Sequence, residues 1–226
     1  MDKKDAKEIF RIAIDGPGGA GKSTISKAVA RELGFEYIDT GAMYRAIALK
    51  TISKGIDKSD EAAVSDMVAG TEIEFRGGRI YLDGEDVSSE IRSESVSMAA
   101  SDVSKLPAVR RKLVDLQREM ARKTSVVMDG RDIGTNVIKD AEFKIYLTAD
   151  PMVRAKRRYL QLKQQGREAD IDRIAEDIRA RDEQDMNREI DPLRQAEDAI
   201  KLDTSDMTIE DIVGYIIGEV SERRRQ

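Results

Sequence analysis

The 226-residue chain contains no cysteine and no histidine, and it has no apolar run long enough to span a membrane. Without cysteine it can form neither disulfides nor a thiol nucleophile, and without histidine it lacks the commonest general base and zinc ligand. A membrane helix needs about 20 apolar residues in succession, and the charged segment Met1–Glu8 lacks the pattern of a signal peptide. We therefore expect a cytoplasmic protein whose chemistry depends on lysine, arginine, carboxylates, hydroxyls and bound metal.

The chain also lacks an excess of charge of one sign. It has 39 basic and 44 acidic residues, a net charge of −5 and 37% charged residues. Proteins that bind nucleic acid in general carry a basic patch or an excess of basic charge. This composition instead predicts a solvated surface of mixed sign and no nucleic-acid partner, on a chain long enough for one domain with inserts.

Residues 16–23 read Gly-Pro-Gly-Gly-Ala-Gly-Lys-Ser and match the phosphate-binding pattern G-x-x-x-x-G-K-[ST]. They follow the apolar run Ile12–Ile14 and precede a helical pattern, so the glycines lead from a strand into a helix. Backbone N–H groups in such a loop can surround a phosphate, and the helix N-terminus adds partial positive charge. The pattern assigns Lys22 to the β- and γ-phosphates of a nucleoside triphosphate and the Ser23 hydroxyl to Mg²⁺. The residues expected to contact this nucleotide are Gly16, Pro17, Gly18, Gly19, Ala20, Gly21, Lys22, Ser23 and Thr24.

Strand-like and helix-like patterns alternate through most of the chain. This alternation predicts an α/β fold of the three-layer P-loop NTPase type, with a mostly parallel five-stranded sheet. Residues 71–87 differ, because short apolar-alternating runs are separated there by Gly-Gly and Asp-Gly, which predicts an antiparallel β insert. The expected core strands are 9–15, 35–38, 126–129, 143–147 and 200–203, with helices starting near Lys22, Ala42, Pro107, Pro151, Ile171 and Thr208.

Two polar motifs directly follow predicted strands, namely Asp39–Arg45 and Asp129–Asp132. Each alone is compatible with a simple turn or helix cap. Because the carboxyl ends of parallel strands share one edge of the sheet, the two motifs together predict one pocket. Arginine is the side chain best matched to a second anion, so the pocket suits an acceptor that already carries a phosphate.

At the level of motifs the chain resembles the bacterial cytidylate kinase family, within the nucleoside monophosphate kinase group of P-loop proteins. The segments Asp39–Arg45 and Asp129–Thr135 are specific to this family, and the five matching segments run from residue 14 to residue 188 in the family's order, so the resemblance covers essentially the whole chain. The resemblance implies that a monomeric enzyme transfers the γ-phosphoryl group of Mg·ATP to CMP, and also to dCMP. The matching segments are Ile14–Ser23, Asp39–Arg45, Asp129–Thr135, Arg154–Arg158 and Arg181–Arg188.

The resemblance also implies roles for individual residues. Arg45 and Arg131 would bind the acceptor phosphate, and Arg154 would stack on adenine. Asp132 would read the cytosine edge together with Ser101 and Arg110. The implied CMP-binding residues are Thr40, Tyr44, Arg45, Ser101, Arg110, Asp129, Gly130, Arg131, Asp132, Arg181, Asp185 and Arg188. The implied catalytic residues are Lys22, Arg131, Arg157 and Arg158.

Spacing adds one expectation about the segment 181–188. Asp185 lies four residues after Arg181 and three before Arg188, so all three can share one helix face with the carboxylate between two arginines. Without the resemblance, Arg110 reads as an ordinary solvated helix residue, and the charged segment after Pro151 as a helix with surface ion pairs.

These observations predict one P-loop kinase domain over residues 1–226. It would carry an acceptor-binding insert at about 40–105, with the β meander at about 71–87, and a helical lid at about 151–188. Two alternatives stay open. One is a related P-loop kinase that acts on UMP, AMP or shikimate, and the other is a P-loop ATPase or GTPase switch.

Overall fold

The molecule is built on two sheets. The computed structural model describes residues 9–225, so the predictions made for Met1–Glu8 fall outside the described residues. The strands are β1 (Arg11–Asp15), β2 (Glu36–Asp39), β3 (Ile73–Arg76), β4 (Arg79–Leu82), β5 (Glu85–Asp86), β6 (Val126–Gly130), β7 (Phe143–Thr148) and β8 (Ile200–Asp203). Five of them form one sheet in the order β2-β6-β1-β7-β8, and every pairing in it is parallel. Strands β3, β4 and β5 form a separate antiparallel sheet. Both predicted sheets are confirmed.

Helices cover both faces of the five-stranded sheet. The helices are α1 (Lys22–Leu33), α2 (Thr40–Ser53), α3 (Glu61–Ala69), α4 (Glu94–Val103), α5 (Pro107–Lys123), α6 (Pro151–Gln164), α7 (Ile171–Asn187) and α8 (Ile209–Arg223), with a 3₁₀ turn at Glu90–Arg92 and a π turn at Ile133–Val137. On one face α1 and α8 pack in the same apolar cluster, and on the other α2 to α5 pack together. The predicted three-layer arrangement is therefore confirmed.

Strand β1 shows how the sequence produces the two cores. Ile12 and Ile14 lie in the cluster with α1 and α8, whereas Ala13 lies in the cluster with α2 and α5. Side chains alternate between the faces of a strand, so a continuous apolar run is needed when both faces are covered. All three residues are at most 1% exposed.

The register of the strands determines where the polar loops lie. Asp15 at the end of β1 pairs with Gly130 at the end of β6 and with Tyr146 of β7. The loop after β1 and the turn after β6 therefore begin side by side at one edge of the sheet. Ligands bind at this edge in open α/β folds.

Sequence patterns missed two helices in the acceptor-side region. Helices α3 and α4 have only nine and ten residues, and alanine and serine give them a weak apolar stripe. Each is capped by a side chain, since Asp60 accepts from Ala63 N and Ser93 accepts from Val96 N. Helix α2 begins at Thr40 rather than at the expected Ala42, because Asp39 acts as its N-cap.

Helices α6 and α7 form the predicted helical pair after β7. Their own apolar cluster is small, with Ala155, Ala175 and Ile178 as its buried members. So few apolar contacts predict that this pair opens more easily than the main core.

Among residues 9–225, no helix is both long and apolar enough to cross a membrane.

Candidate active site

The loop between β1 and α1 has a backbone that only glycine permits at some positions. At Gly16 a Cβ atom would lie 2.0 Å from the carbonyl oxygen of Leu147 on β7. Gly21 is the N-cap of α1 and has a left-handed conformation with φ of 86°. These two glycines hold the loop against the sheet and direct the first turn of α1 into it. Thr24, in that first turn, is exposed.

Lys22 bends back across this loop. Its Nζ donates to the carbonyl oxygens of Gly16 and Pro17, at 2.7 Å in each case. The side chain is buried, and burial together with the charge of Arg131 lowers the pKa of Lys22. The loop and its lysine thus form one hydrogen-bonded unit.

Asp129, the fourth residue of β6, connects the loop with the second motif. Its carboxylate accepts from Ser23 Oγ at 2.9 Å and from the Tyr37 hydroxyl at 2.7 Å, while its carbonyl accepts from Thr40 Oγ1 at 2.6 Å. Burial and the nearby Asp39 raise the pKa of Asp129 to about 6. The resemblance placed Asp129 on the CMP side, but the structure places its carboxylate against Ser23.

The Ser23–Asp129 pair fits a divalent cation in donor chemistry. A hydroxyl and a carboxylate are hard oxygen ligands of the kind that Mg²⁺ takes, usually alongside phosphate oxygens and water. A cation would also offset the cost of an ionised, buried Asp129. Within residues 9–225, no group of three or more potential metal-binding side chains is present. The Ser23 hydroxyl and the Asp129 carboxylate would therefore form only part of the ligand set of such a cation.

Gly130 and Arg131 continue the turn after β6. At Gly130 a Cβ would lie 2.7 Å from Thr40 Oγ1 and from Ile133 Cδ1, so no side chain fits there. Arg131 Nε donates to Asp185 Oδ2 at 2.6 Å, across 54 residues of sequence. A Cβ at Gly18 would lie 3.6 Å from Arg131 Nη2. Arg131 therefore lies between the phosphate loop and helix α7.

Asp132 forms the centre of a buried cluster of charges. Its Oδ2 accepts from Arg110 Nη2 at 2.5 Å, and its Oδ1 accepts from Arg188 Nη2 at 2.8 Å. Asn136 of the π turn donates to Oδ2 at 3.1 Å. Arg110 lies on α5 and is only 2% exposed, so it is not the solvated helix residue that the pattern alone allowed. Its guanidinium carbon lies 5.9 Å from the centre of the Tyr44 ring.

The expected arrangement of Arg181, Asp185 and Arg188 is wrong. Helix α7 ends at Asn187, and Arg188 has extended backbone with ψ of 142°, so it does not share the helix face. Asp185 pairs with Arg131 instead, and Arg188 pairs with Asp132. The helical spacing failed because the helix stops one residue too early.

The three arginines of helix α6 lie in three different environments. Arg154 is buried, donates to the carbonyl of Gly18 at 2.8 Å and pairs with Asp182 at 2.6 Å. Arg157 donates to the carbonyl and hydroxyl of Thr204, just past β8. Arg158 is exposed and contacts Gln161.

Arg158, in the middle of helix α6, lies near two other positive charges. Partial desolvation and the neighbouring charges of Arg167 and Arg181 lower the pKa of Arg158. Arg167 in turn pairs with Glu94 of α4 at 2.8 Å. Three guanidinium groups, those of Arg158, Arg167 and Arg181, therefore lie near the single carboxylate of Glu94.

Two predicted residues are less closely tied to the cluster. Arg45 pairs with Asp39 at 3.0 Å, at the beginning of α2. Ser101 contributes its carbonyl oxygen, which accepts from Gln184 Nε2 of α7 at 3.2 Å. That bond joins α7 to α4, but no hydrogen bond links the Ser101 hydroxyl to Asp132 among the described residues.

The profile of the cytidylate kinase family matches residues 12–222. A curated cytidylate kinase of Caldicellulosiruptor saccharolyticus is 51% identical over 212 residues, which cover 92% of this chain and 94% of that relative. The cytidylate kinase of Lactobacillus gasseri is 46% identical over the whole of both chains. The chain belongs to the cytidylate kinase family. This confirms the resemblance found in the motifs.

Solved structures agree on the fold. A shikimate kinase from Bacteroides thetaiotaomicron superposes with a TM-score of 0.50 at 16% identity, covering 95% of this chain and 99% of that one. A shikimate kinase from Acinetobacter baumannii gives the same TM-score at 15% identity, covering 97% of each chain. At such low identity the likeness shows the fold alone, and it confirms the predicted P-loop kinase fold.

Sequence reasoning missed four side chains that the structure places among these residues. Asp15 accepts from the backbone N–H groups of Ile133 and Gly134, at 2.8 Å each. The other three residues are Tyr37 on Asp129, Asp182 on Arg154 and Asp191 on Arg110. Asp15 could have been suspected as a carboxylate at the end of a buried strand. The other three residues have no local pattern that distinguishes them from surface polar residues.

Proposed function

We propose that this chain is a cytidylate kinase that transfers the γ-phosphoryl group of ATP to CMP, and to dCMP. The products are ADP and CDP or dCDP. Membership of the cytidylate kinase family supports this activity and the predicted enzyme class, an ATP-dependent nucleoside monophosphate kinase. Membership of the family does not by itself assign a role to each residue of this chain.

One observation carries the assignment of roles, namely the turn Asp129–Asp132. At its start the Asp129 carboxylate contacts Ser23 of the phosphate loop. At its end the Asp132 carboxylate lies between Arg110 and Arg188. Four consecutive residues thus join the proposed ATP side to the proposed CMP side. Such a short rigid connection suits a reaction that depends mainly on positioning.

In the reaction, an oxygen of the CMP phosphate forms a bond to the γ-phosphorus while the bond to the β–γ bridging oxygen breaks. The acceptor is already an anion, so the lack of histidine is no obstacle. Negative charge builds on the transferred group and on the leaving oxygen of ADP. An ammonium group has three donors, and Lys22 uses two of them on Gly16 and Pro17. The third is left for a phosphate oxygen.

Arg131 is proposed to bind the CMP phosphate, since it lies beside the phosphate loop and is oriented by Asp185. Arg158 is proposed to contribute charge from the lid. When bound, Mg²⁺ would neutralise phosphate charge, with Ser23 and Asp129 as the residues that would hold it. The protein side chains then orient the two phosphates and exclude water between them.

Base selection is assigned to Asp132 and Arg110. Cytosine has an N4 amino group that donates, beside N3 and O2 atoms that accept. A carboxylate next to a guanidinium group complements that pattern. Uracil replaces the amino donor with a carbonyl, which would face the Asp132 carboxylate unfavourably. This chemistry favours CMP over UMP.

The functional division of the chain is part of the same proposal. Residues at about 40–105 would bind the acceptor, and residues at about 151–188 would form the lid over both substrates. The lid contacts both sides, through Arg154 on Gly18 and through Arg167 on Glu94. A monomeric state and a cytoplasmic location stay predictions of the sequence analysis.

An acceptor panel tests the proposed function. ADP release with Mg·ATP would be measured with CMP, dCMP, UMP, AMP and shikimate, and with no acceptor. We expect CMP and dCMP to be the best substrates. A preference for UMP, AMP or shikimate would favour a related small-molecule kinase, and turnover without any acceptor would favour an ATPase. Repeating the CMP assay with EDTA tests the metal requirement, and activity should be lost.

A further inference from the structure

Asp191 has an unusual backbone. It lies in the loop after the lid helix α7, and its φ is +47°. Among residues 9–225, only Asp83 and Asp191 are non-glycine residues with positive φ. The residue before a proline normally adopts extended backbone, yet Asp191 precedes Pro192. A residue in such a sparsely populated conformation has to be held there by its contacts.

Those contacts go to the two arginines that flank Asp132. The Asp191 Oδ2 accepts from Arg110 Nε at 3.0 Å. Its carbonyl oxygen accepts from Arg188 Nε at 2.6 Å and also from Arg188 Nη2. One residue therefore contacts both arginines, and in each arginine the Nη2 atom faces Asp132 as well as Asp191.

The four residues form a closed ring. Asp132 contacts Arg110 and Arg188 through its carboxylate, and Asp191 contacts Arg110 through its carboxylate and Arg188 through its carbonyl. In Arg110, Nη2 lies 2.5 Å from Asp132 Oδ2 and 3.0 Å from Asp191 Oδ2, and Nε donates to Asp191, while Nη1 is buried and has no hydrogen-bond partner among the described residues. The ring thereby leaves one defined donor of Arg110 for a ligand.

We propose that Asp191 is a positioning residue for base selection, which fixes the Arg110 and Arg188 guanidinium groups around Asp132. The inference rests on the proposed function, because it names a residue that acts through the CMP-binding arginines. With Asp191 present, two positive and two negative charges balance. Without its carboxylate, Arg110 Nε loses its acceptor, and the guanidinium group turns toward Asp132. Asp132 then has fewer lone pairs free for the cytosine amino group.

Two substitutions distinguish the role of the Asp191 carboxylate from the role of its backbone carbonyl. Asp191→Gly suits a positive φ and keeps the carbonyl that binds Arg188, but it removes the carboxylate. Asp191→Asn keeps the shape and one acceptor oxygen while removing the charge. Asp83→Gly is the matched control, because Asp83 also has positive φ and is a half-exposed carboxylate paired with a buried cation, Lys50.

The measurements are kcat and KM for CMP, UMP and ATP, together with the melting temperature. For Asp191→Gly we expect the KM for CMP to rise by about tenfold, since a charged hydrogen bond is lost. The ratio of kcat/KM for CMP to kcat/KM for UMP should fall by about tenfold for the same reason. The KM for ATP should stay within about twofold, and Asp191→Asn should be intermediate. Asp83→Gly should keep the wild-type preference for CMP over UMP.

Three results would overturn the proposal. One is an Asp191→Gly enzyme with wild-type preference for CMP over UMP. Another is an equal rise in KM for ATP and for CMP, which indicates general damage to the fold. If Asp191→Gly does not fold, Asp191→Asn decides, and an unchanged preference in that variant counts against the proposal. Failure of the proposed function is a different result, because the wild type itself would then not phosphorylate CMP.

Discussion

The phosphate loop and the proposed base-selection cluster are built in opposite ways. The loop is eight consecutive residues, and its principal side-chain contact runs from Lys22 back to Gly16 and Pro17, within the same segment. The cluster consists of Arg110, Asp132, Arg188 and Asp191, which come from three distant parts of the chain. One is a local structure, and the other exists only when the whole fold is assembled.

This difference predicts two classes of variant. A change in the loop should slow phosphoryl transfer to every acceptor alike, because the loop faces the ATP side. A change in the cluster should alter the choice of acceptor and the stability of the fold together, because its charges are buried and paired. Each prediction below tests one side of that division.

The largest effect is expected for Lys22→Ala. Removing a charge that stabilises the transition state costs about 3–4 kcal/mol in a water-excluded site, or more than about a hundredfold in kcat. The fall in kcat should be the same with CMP and with UMP, and the melting temperature should stay within a few degrees of the wild type. Lys27→Ala, an exposed lysine on the same helix, is the control. A Lys22→Ala enzyme with more than about a tenth of the wild-type kcat would contradict the assigned role.

Arg131→Ala should follow, because Arg131 lies between the two regions. We expect a higher KM for CMP and a kcat lower by about one to two orders of magnitude, since the arginine both binds and aligns the acceptor phosphate. Arg131→Lys keeps the charge but not the paired donors, so it should recover binding more than turnover. The preference for CMP over UMP should stay unchanged in both variants, as steady-state assays with each acceptor would show.

The sequence predicts the fold well where patterns are long and bounded. The five core strands are short apolar runs that end in polar motifs, and helix α8 begins with the capping box of Thr208 and Asp211. Helices α3 and α4 were missed because they are short and rich in alanine and serine. Tertiary packing, which the local sequence does not report, stabilises such helices.

The candidate site divides in the same way. Ser23 and Lys22 follow from a contiguous motif, but the pairing of Asp129 with Ser23 depends on the parallel register of β1 and β6. Asp191 could not have been predicted, because its contacts depend on the path of the loop after α7. Asp185 was named from the resemblance, yet its partner is Arg131 rather than a neighbour in sequence.

Asp132→Ala tests the second class of variant, a change in the cluster around Asp132. We expect the preference for CMP over UMP to fall by about tenfold, because the cytosine amino group loses its acceptor. The substitution also leaves Arg110 and Arg188 without their shared carboxylate. Breaking a buried ion pair costs about 3–5 kcal/mol, so the melting temperature should fall as well. If Asp132→Ala and Arg131→Ala showed the same kinetic pattern, the division between base and phosphate binding would be wrong.

The smallest effect is expected for Arg157→Ala, and its comparison with Arg158→Ala tests the lid. The resemblance implies a catalytic role for both arginines. The structure places them differently, because Arg157 donates to Thr204, which is fully buried, whereas Arg158 is exposed beside Arg167 and Arg181. Helical spacing explains this, since consecutive residues point about 100° apart around a helix.

Arg158→Ala should therefore lower kcat by about tenfold with CMP and UMP alike, since a lid charge near the phosphates is lost. Arg157→Ala should change kcat by less than about threefold, and should instead lower the melting temperature, because Thr204 loses hydrogen bonds worth about 1 kcal/mol each. Steady-state kinetics and thermal unfolding of both variants decide between the roles. A kcat that falls more in Arg157→Ala than in Arg158→Ala would contradict this assignment. It would mean that Arg157 leaves Thr204 when the lid closes, and that both arginines then take part in phosphoryl transfer.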